Sequence, residues 1–257
     1  AAGASIVKSL TIQPMMTGFN EYELKMGAIQ TIMAGSGESL KTVNRYLQDL
    51  NTYSDKTIYS FKDMTSNIGK FTNAGVSLKT SVAAIQGIAN VAAISGANAD
   101  EASRAMYNFA QSLSQGSVKL MDWKSIELAN MATKEFKTQL LDSAVAAGTL
   151  KKGAGGLYTT LKGTPVTATK GFNESLTEQW LTSEALIKTL GRYSDTNTDI
   201  GKRATAAAQD VKTFTQMLDT MKESAGSGWA ETWELVFGNV KQSKKLWTGV
   251  NNVLGGM

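Results

Sequence analysis

The chain has 257 residues, of which 42% are hydrophobic and 19% charged, with a formal net charge of +4; this is a globular balance rather than a disordered one. It contains no cysteine and no histidine, which excludes disulfides, Cys–His zinc sites and Ser-His-Asp or Cys-His catalytic groups. The basic excess is diffuse, with no dense basic run to mark a sequence-specific nucleic-acid partner, and no apolar run reaches the ~20 residues a membrane-crossing helix needs.

The spacing of apolar residues predicts a mainly α fold, a multi-helix module of amphipathic helices with a small β-hairpin or short sheet. Four parts follow from the changes in pattern. Residues 1–38 form an extended, β-like entry segment, broken by Pro14 and Gly18. Its start lacks an initiator methionine and the signal-peptide order, so the chain reads as a piece of a longer polypeptide. Within the entry segment, Tyr22, Leu24, Met26 and Ala28 alternate with charged or small residues, a strand pattern running to Met33.

Residues 39–148 form a central helical domain. Ser39 opens a helix carrying Leu40, Val43, Leu47 and Leu50, and Asp55 is placed to cap the next, with Ile58, Tyr59, Phe61, Met64 and Ile68. Ser77 caps a third helix, which carries Val82, Ile85, Ile88, Ala89 and Ala92 and stops at Gly96. This helix is rich in small residues, and an interior glycine costs a helix ~1 kcal/mol against alanine. Gly87 therefore marks a close backbone approach, either within the chain or to another copy. Asn98 and Glu101 have the spacing of a capping box at the head of a helix with Ala102, Met106, Phe109, Ala110 and Leu113, ending at Gly116. Asp122 is placed to cap the next, with Trp123, Ile126 and Met131 on its buried face. A further helix runs through Phe136, Leu140, Leu141, Ala144 and Val145 to Gly148.

Residues 149–170 are a loop and a hairpin. Lys151–Gly156 is expected to be a flexible loop; Leu157–Leu161 and Val166–Thr169 are expected to be arms joined across Lys162-Gly163. Pro165 confines the second arm to an edge. An isolated hairpin is marginal in water, and the Tyr22–Met33 segment is the candidate third strand.

Residues 171–257 form a C-terminal helical part. Phe172, Leu176 and Trp180 continue helically, and Thr182 or Ser183 caps a helix with Leu186, Ile187, Leu190 and Tyr193. A heptad helix over 199–225 follows, with Ile200, Ala204, Ala207, Val211, Phe214, Leu218, Met221 and Ala225 in steps of four and three. That is a coiled-coil seam, and its partner is either another chain or the chain's own core. The Trp-rich end carries Trp229, Trp233 and Trp247, which serve either to close the core or to contact another subunit. The candidate interface residues are Gly87, Val211, Phe214, Leu218, Trp229, Trp233 and Trp247.

No phosphate-loop motif occurs, since Gly69-Lys70 and Gly201-Lys202 lack the upstream glycine and the following hydroxyl pattern. Glu127, Glu135 and Asp142 have lysine neighbours, as solvated ion pairs do. Asp195, Asn197 and Asp199 lack the turn glycine and closing glutamate of a calcium loop. No enzyme activity, cofactor or metal is expected.

Several long blocks resemble the conserved domain of tail tape measure proteins of long-tailed bacteriophages and prophages: FTNAGVSL at 71–78, AIQGIANVAAISGANADEASRAMY at 84–107 and VKLMDWKSIELANMA at 118–132. LNTYSDKTIYSF at 50–61, QDVKTFTQMLDTMKE at 209–223 and SGWAETWELVFGN at 227–239 add to the match. The resemblance implies a virion component of the tail, in the tube lumen or at the tip, which passes through the host cytoplasm during assembly. It implies roles in tail-length determination, tail assembly and genome ejection. The implied partners are further copies of the chain, as a trimer, together with tail-tube and distal-tail proteins, tail assembly chaperones, and the host membrane during ejection. The alternative is a membrane-active helical module forming part of a DNA-ejection channel, seeded by Val82–Ile94, whose thirteen residues are too few to span a bilayer.

Overall fold

The computed structural model describes the backbone of residues 19–224 and the side chains of residues 27–213. Within these limits the fold is mainly α, with ten α-helices and one three-stranded antiparallel sheet. The helices are α1 (Phe19–Ser36), α2 (Leu40–Asp55), α3 (Phe61–Asn73), α4 (Leu78–Ser95), α5 (Ala99–Gln115), α6 (Leu120–Leu128) and α7 (Lys134–Ala146). Strands β1 (Leu150–Lys152), β2 (Tyr158–Thr160) and β3 (Pro165–Val166) follow, then α8 (Phe172–Ser175), α9 (Ser183–Ser194) and α10 (Asp199–Ser224).

Helix α4 is the centre. It packs against α2, α3, α5, α9 and α10, and it buries residues on nearly every side, from Leu78 through Val82, Ile85, Ile88 and Val91 to Ala93. A helix that is apolar all round is a buried helix, and its alanines and glycine let five neighbours crowd it. The surrounding helices instead bury one stripe each: Val43, Leu47 and Leu50 of α2, Met64, Ile68 and Phe71 of α3, and Met106, Phe109 and Leu113 of α5.

The helix ends follow local chemistry. Ser39 and Ser77 accept hydrogen bonds from Thr42 N and Thr80 N at 3.2 and 3.3 Å. Asn98 and Glu101 close a reciprocal capping box, Glu101 N donating to Asn98 Oδ1 at 2.9 Å and Asn98 N to Glu101 Oε2 at 2.8 Å. Gly96 and Gly116 end α4 and α5 at φ of 75° and 81°, the left-handed conformation that only glycine adopts without strain.

Two caps differ from expectation. Asp55 ends α2, and Ser60 caps α3 by accepting from Asp63 N at 3.0 Å. Asp122 does not cap α6; it lies inside the first turn, buried, and accepts a hydrogen bond from Ser112 Oγ of α5 at 3.2 Å. A carboxylate one turn inside a helix still sits favourably near the positive end of the dipole, so sequence position alone did not separate the two roles. Helix α6 also ends at Leu128, and Met131 is buried just beyond it.

The Tyr22–Met33 segment is a helix, not a strand. The alternation covers only four apolar residues, while Ile29 and Ile32, three apart, are both buried and the local sequence is rich in good helix formers. Its place as third strand is taken by Leu150–Lys152, which includes the first two residues of the expected flexible loop. The sheet order is β1-β2-β3, with Lys151 opposite Thr159 and Thr159 opposite Pro165. Pro165 lies on an edge strand, as its missing amide requires. Leu150, Tyr158 and Val166 turn inward, and β1 packs on α7. Between β3 and α9, helical geometry at Phe172–Ser175 gives way to a 3-10 turn at Leu176–Glu178, which Gln179 ends at φ 57°. Phe172, Trp180, Trp123 and Phe136 form a buried aromatic cluster there, with ring centroids 4.9 Å apart for Trp123–Phe172 and 5.2 Å for Phe172–Trp180.

Candidate interaction surface

Gly87 sits where α4 crosses α9. A Cβ built on it would lie 2.0 Å from the Leu190 carbonyl oxygen, so the contact made here is an intramolecular one between backbones. One turn later, Asn90 joins four elements through one buried amide. Its Nδ2 donates to the Tyr193 carbonyl at 2.8 Å and to Thr205 Oγ1 at 3.1 Å, and its Oδ1 accepts from the Tyr53 hydroxyl at 2.7 Å. α2, α4, α9 and α10 therefore share a single polar lock, and burial raises the Tyr53 hydroxyl well above its ordinary pKa. Nothing in the spacing of apolar residues points to Asn90; a polar residue in the middle of an otherwise apolar helix is the signal that would have found it.

The first part of the α10 seam faces inward. Ile200, Ala204, Ala207 and Ala208 are buried, whereas Val211 is half-buried. Arg203, on another side of α10, pairs with Glu135 of α7 at 2.5 Å, and Lys212 Nζ donates to the Asp55 carbonyl at the end of α2 at 2.5 Å. Phe214 and Leu218 lie on the α10 backbone with side chains outside the described residues. Trp229, Trp233 and Trp247 lie outside the described residues altogether.

A second surface is on α6. Met121 and Leu128 are 84% and 82% exposed; seven residues apart, they lie two turns along one side of the helix, with Trp123 and Ile126 buried on the other. The block from Val118 to Met131 has more apolar residues than one helix face can bury, and that surplus is the sequence signal for this stripe. The loop before α6 is fixed to the entry of α9: Val118 N donates to Leu181 O at 2.8 Å and Ser183 N to Gly116 O at 3.0 Å.

Two acidic residues tie neighbouring elements together. Glu127 accepts from Asn173 Nδ2 at 2.8 Å and pairs with Lys124 at 3.1 Å. Partial burial pushes its carboxyl up, but the bonds from Asn173 and Lys124 outweigh this and leave it below the ordinary carboxylate value. Asp142 of α7 behaves alike: burial raises it, while Lys152 at 2.7 Å and the Tyr158 hydroxyl at 2.8 Å lower it by more. These are structural clamps, joining α6 to α8 and α7 to the sheet. Among the described residues no group of three or more acidic side chains is placed to hold a metal, and no helix is long and apolar enough to cross a membrane.

No curated relative and no solved structure matches the chain. A family model described as tape measure protein matches residues 19–140, from the first residue of α1 into α7. The matched region holds the central helix with Asn90 and the exposed stripe of α6, and over this region, a little under half of its length, the chain is similar to tape measure proteins.

Proposed function

We propose that this chain is a folded structural module of a phage tail, working in tail assembly, tail-length determination and genome ejection, and that it acts in several copies. The observation that carries the reading is the family match over 19–140, which coincides with a closely packed set of helices. At a rise of ~1.5 Å per residue, the whole chain as one helix would reach roughly 390 Å. Five helices instead crowd around α4, so the length-measuring rod lies elsewhere in such a polypeptide and this module is a compact part at or near the tail tip, or one repacked during assembly. Its partners are sister copies, three in number as the family resemblance implies, along with tail-tube and distal-tail proteins, tail assembly chaperones before assembly, and the host membrane at ejection. The exposed stripe on α6 is the surface offered to them, and the heptad residues Phe214 and Leu218 are the further candidates in the sequence.

Light scattering on the 257-residue chain tests the reading. A mass three times the 27.4 kDa of one chain is expected, and Phe214→Asp should abolish it while leaving helicity intact. A monomer at high concentration would remove the assembly role from this module. The alternative of membrane insertion seeded at Val82–Ile94 draws no support from the packing, because Val82, Ile85, Ile88 and Val91 are buried in the chain's own core; leakage from liposomes on addition of the chain would restore it.

A further inference from the structure

An open groove of about 360 Å³ runs between α3 and α5, and every side chain that lines it carries a polar group. α3 contributes Ser66, Asn67 and Lys70, and α5 contributes Arg104, Tyr107 and Asn108, with Ser103 beside them. The volume falls within the range of ligand sites, roughly 300–1,000 Å³. Two features separate it from an ordinary wet surface. Lys70 Nζ is held in place, 4.4 Å from the centre of the Tyr107 ring and 3.0 Å from Asn67 Oδ1, and Asn67 is itself buried, its Nδ2 donating to the Asp63 carbonyl at 2.8 Å. The ammonium is thus fixed by neutral groups. Second, neither Lys70 nor Arg104 makes an ion pair among the described residues; the pairs there involve Lys124, Lys137, Lys152 and Arg203. The nearest acidic residue in the sequence of α5, Glu101, has its Oε2 engaged in the capping box.

We infer that this groove binds a carboxylate carried on an acidic peptide segment of a partner protein. Arg104 supplies a planar fork suited to a carboxylate, Lys70 a fixed point charge, and Ser66, Ser103 and Asn108 neutral donors around them. Partial burial lowers the Lys70 pKa from its usual value, and an incoming carboxylate offsets that cost. The exposed ring of Tyr107, 46% accessible, gives the peptide an apolar surface to lie against. A long polyanion fits less well, since its charge would run past two cations onto Asp63 and Asp100, which lie on the same two helices.

The test is a nuclear magnetic resonance titration of the full chain. The probes are the peptide acetyl-Ala-Glu-Ala-Glu-Ala-amide, its Gln counterpart, and inorganic phosphate, all at constant ionic strength. The Glu peptide should shift the amides of Asn67, Arg104 and Asn108 saturably, and the Gln peptide should bind at least tenfold more weakly. Lys70→Gln and Arg104→Gln should each weaken binding at least fivefold with the unfolding midpoint unchanged, whereas Lys188→Gln, on the exposed side of α9, should leave it unaltered. Equal binding of the two peptides, absence of a saturable shift, or phosphate saturating the same amides at tenfold lower concentration than the Glu peptide would overturn the assignment.

Discussion

At the scale of single residues, two positions in α4 decide whether the centre closes. Alanine is the better helix former by ~1 kcal/mol, yet Gly87→Ala would set a methyl 2.0 Å from the Leu190 carbonyl. The obstacle is backbone, so α9 must move as a unit. Overpacking of this kind costs about 2 kcal/mol or more, and the net result expected in chemical unfolding is a clear loss of stability, against the helix-propensity trend. Asn90→Ala removes three hydrogen bonds and leaves the Tyr193 carbonyl and Tyr53 hydroxyl without this partner; about 2–3 kcal/mol should be lost, with the unfolding transition still cooperative. Gly87 was legible in the sequence as a close approach because an interior glycine has a cost that something must offset. Which backbone it meets was not legible: Leu190 is over a hundred residues away in the chain, and no local spacing records that distance. Asn90 was missed for the same reason, since its partners Tyr53, Tyr193 and Thr205 lie on three other helices.

Elements show where local chemistry suffices and where it does not. The capping box of α5 uses residues three apart, so it was readable, and Asn98→Ala should cost about 1 kcal/mol. The sheet was readable only by halves. The β2–β3 hairpin is local, but β1 lies in a glycine-rich run and becomes a strand because Leu150 has a core to enter and Tyr158–Thr160 to pair with. The error at Tyr22–Met33 has the converse cause: four alternating residues imitate a strand, and the buried pair Ile29 and Ile32 shows its weight only when α2 and α3 are there to meet it. The joint between α7 and the sheet carries a pH signature. Asp142 titrates below its ordinary value in the folded chain, so its clamp contributes fully above the unfolded carboxylate pKa and is lost as pH falls through the folded one. As the pH falls below the ordinary carboxylate value of about 4 the chain should lose stability, and Asp142→Asn should remove part of that dependence, read as a flatter plot of unfolding midpoint against pH. On α6, replacing Met121 and Leu128 together by lysine should leave the midpoint nearly unchanged, because both side chains are more than four-fifths exposed; a lower oligomer mass would identify the stripe as a subunit contact.

For the whole molecule, the open question is what the α10 seam and the residues after it do. The seam's first two turns face the core through Ile200, Ala204 and Ala207, and the ties from Arg203 to Glu135 and from Lys212 to Asp55 hold that half of the helix onto α7 and α2. This half has work enough within the chain. The heptad spacing nevertheless continues to Ala225, and three tryptophans follow it in the sequence. Tryptophan buries a large area with few torsions to restrain, which suits contacts between subunits. A chain ending at Ser224 separates the two readings open in the sequence. If Trp229, Trp233 and Trp247 close the core, truncation lowers the unfolding midpoint of the helices around α4. If they join subunits, truncation leaves that midpoint in place and converts the proposed trimer to a monomer in light scattering. The second outcome is expected, because the described core already encloses α4 on five sides without them.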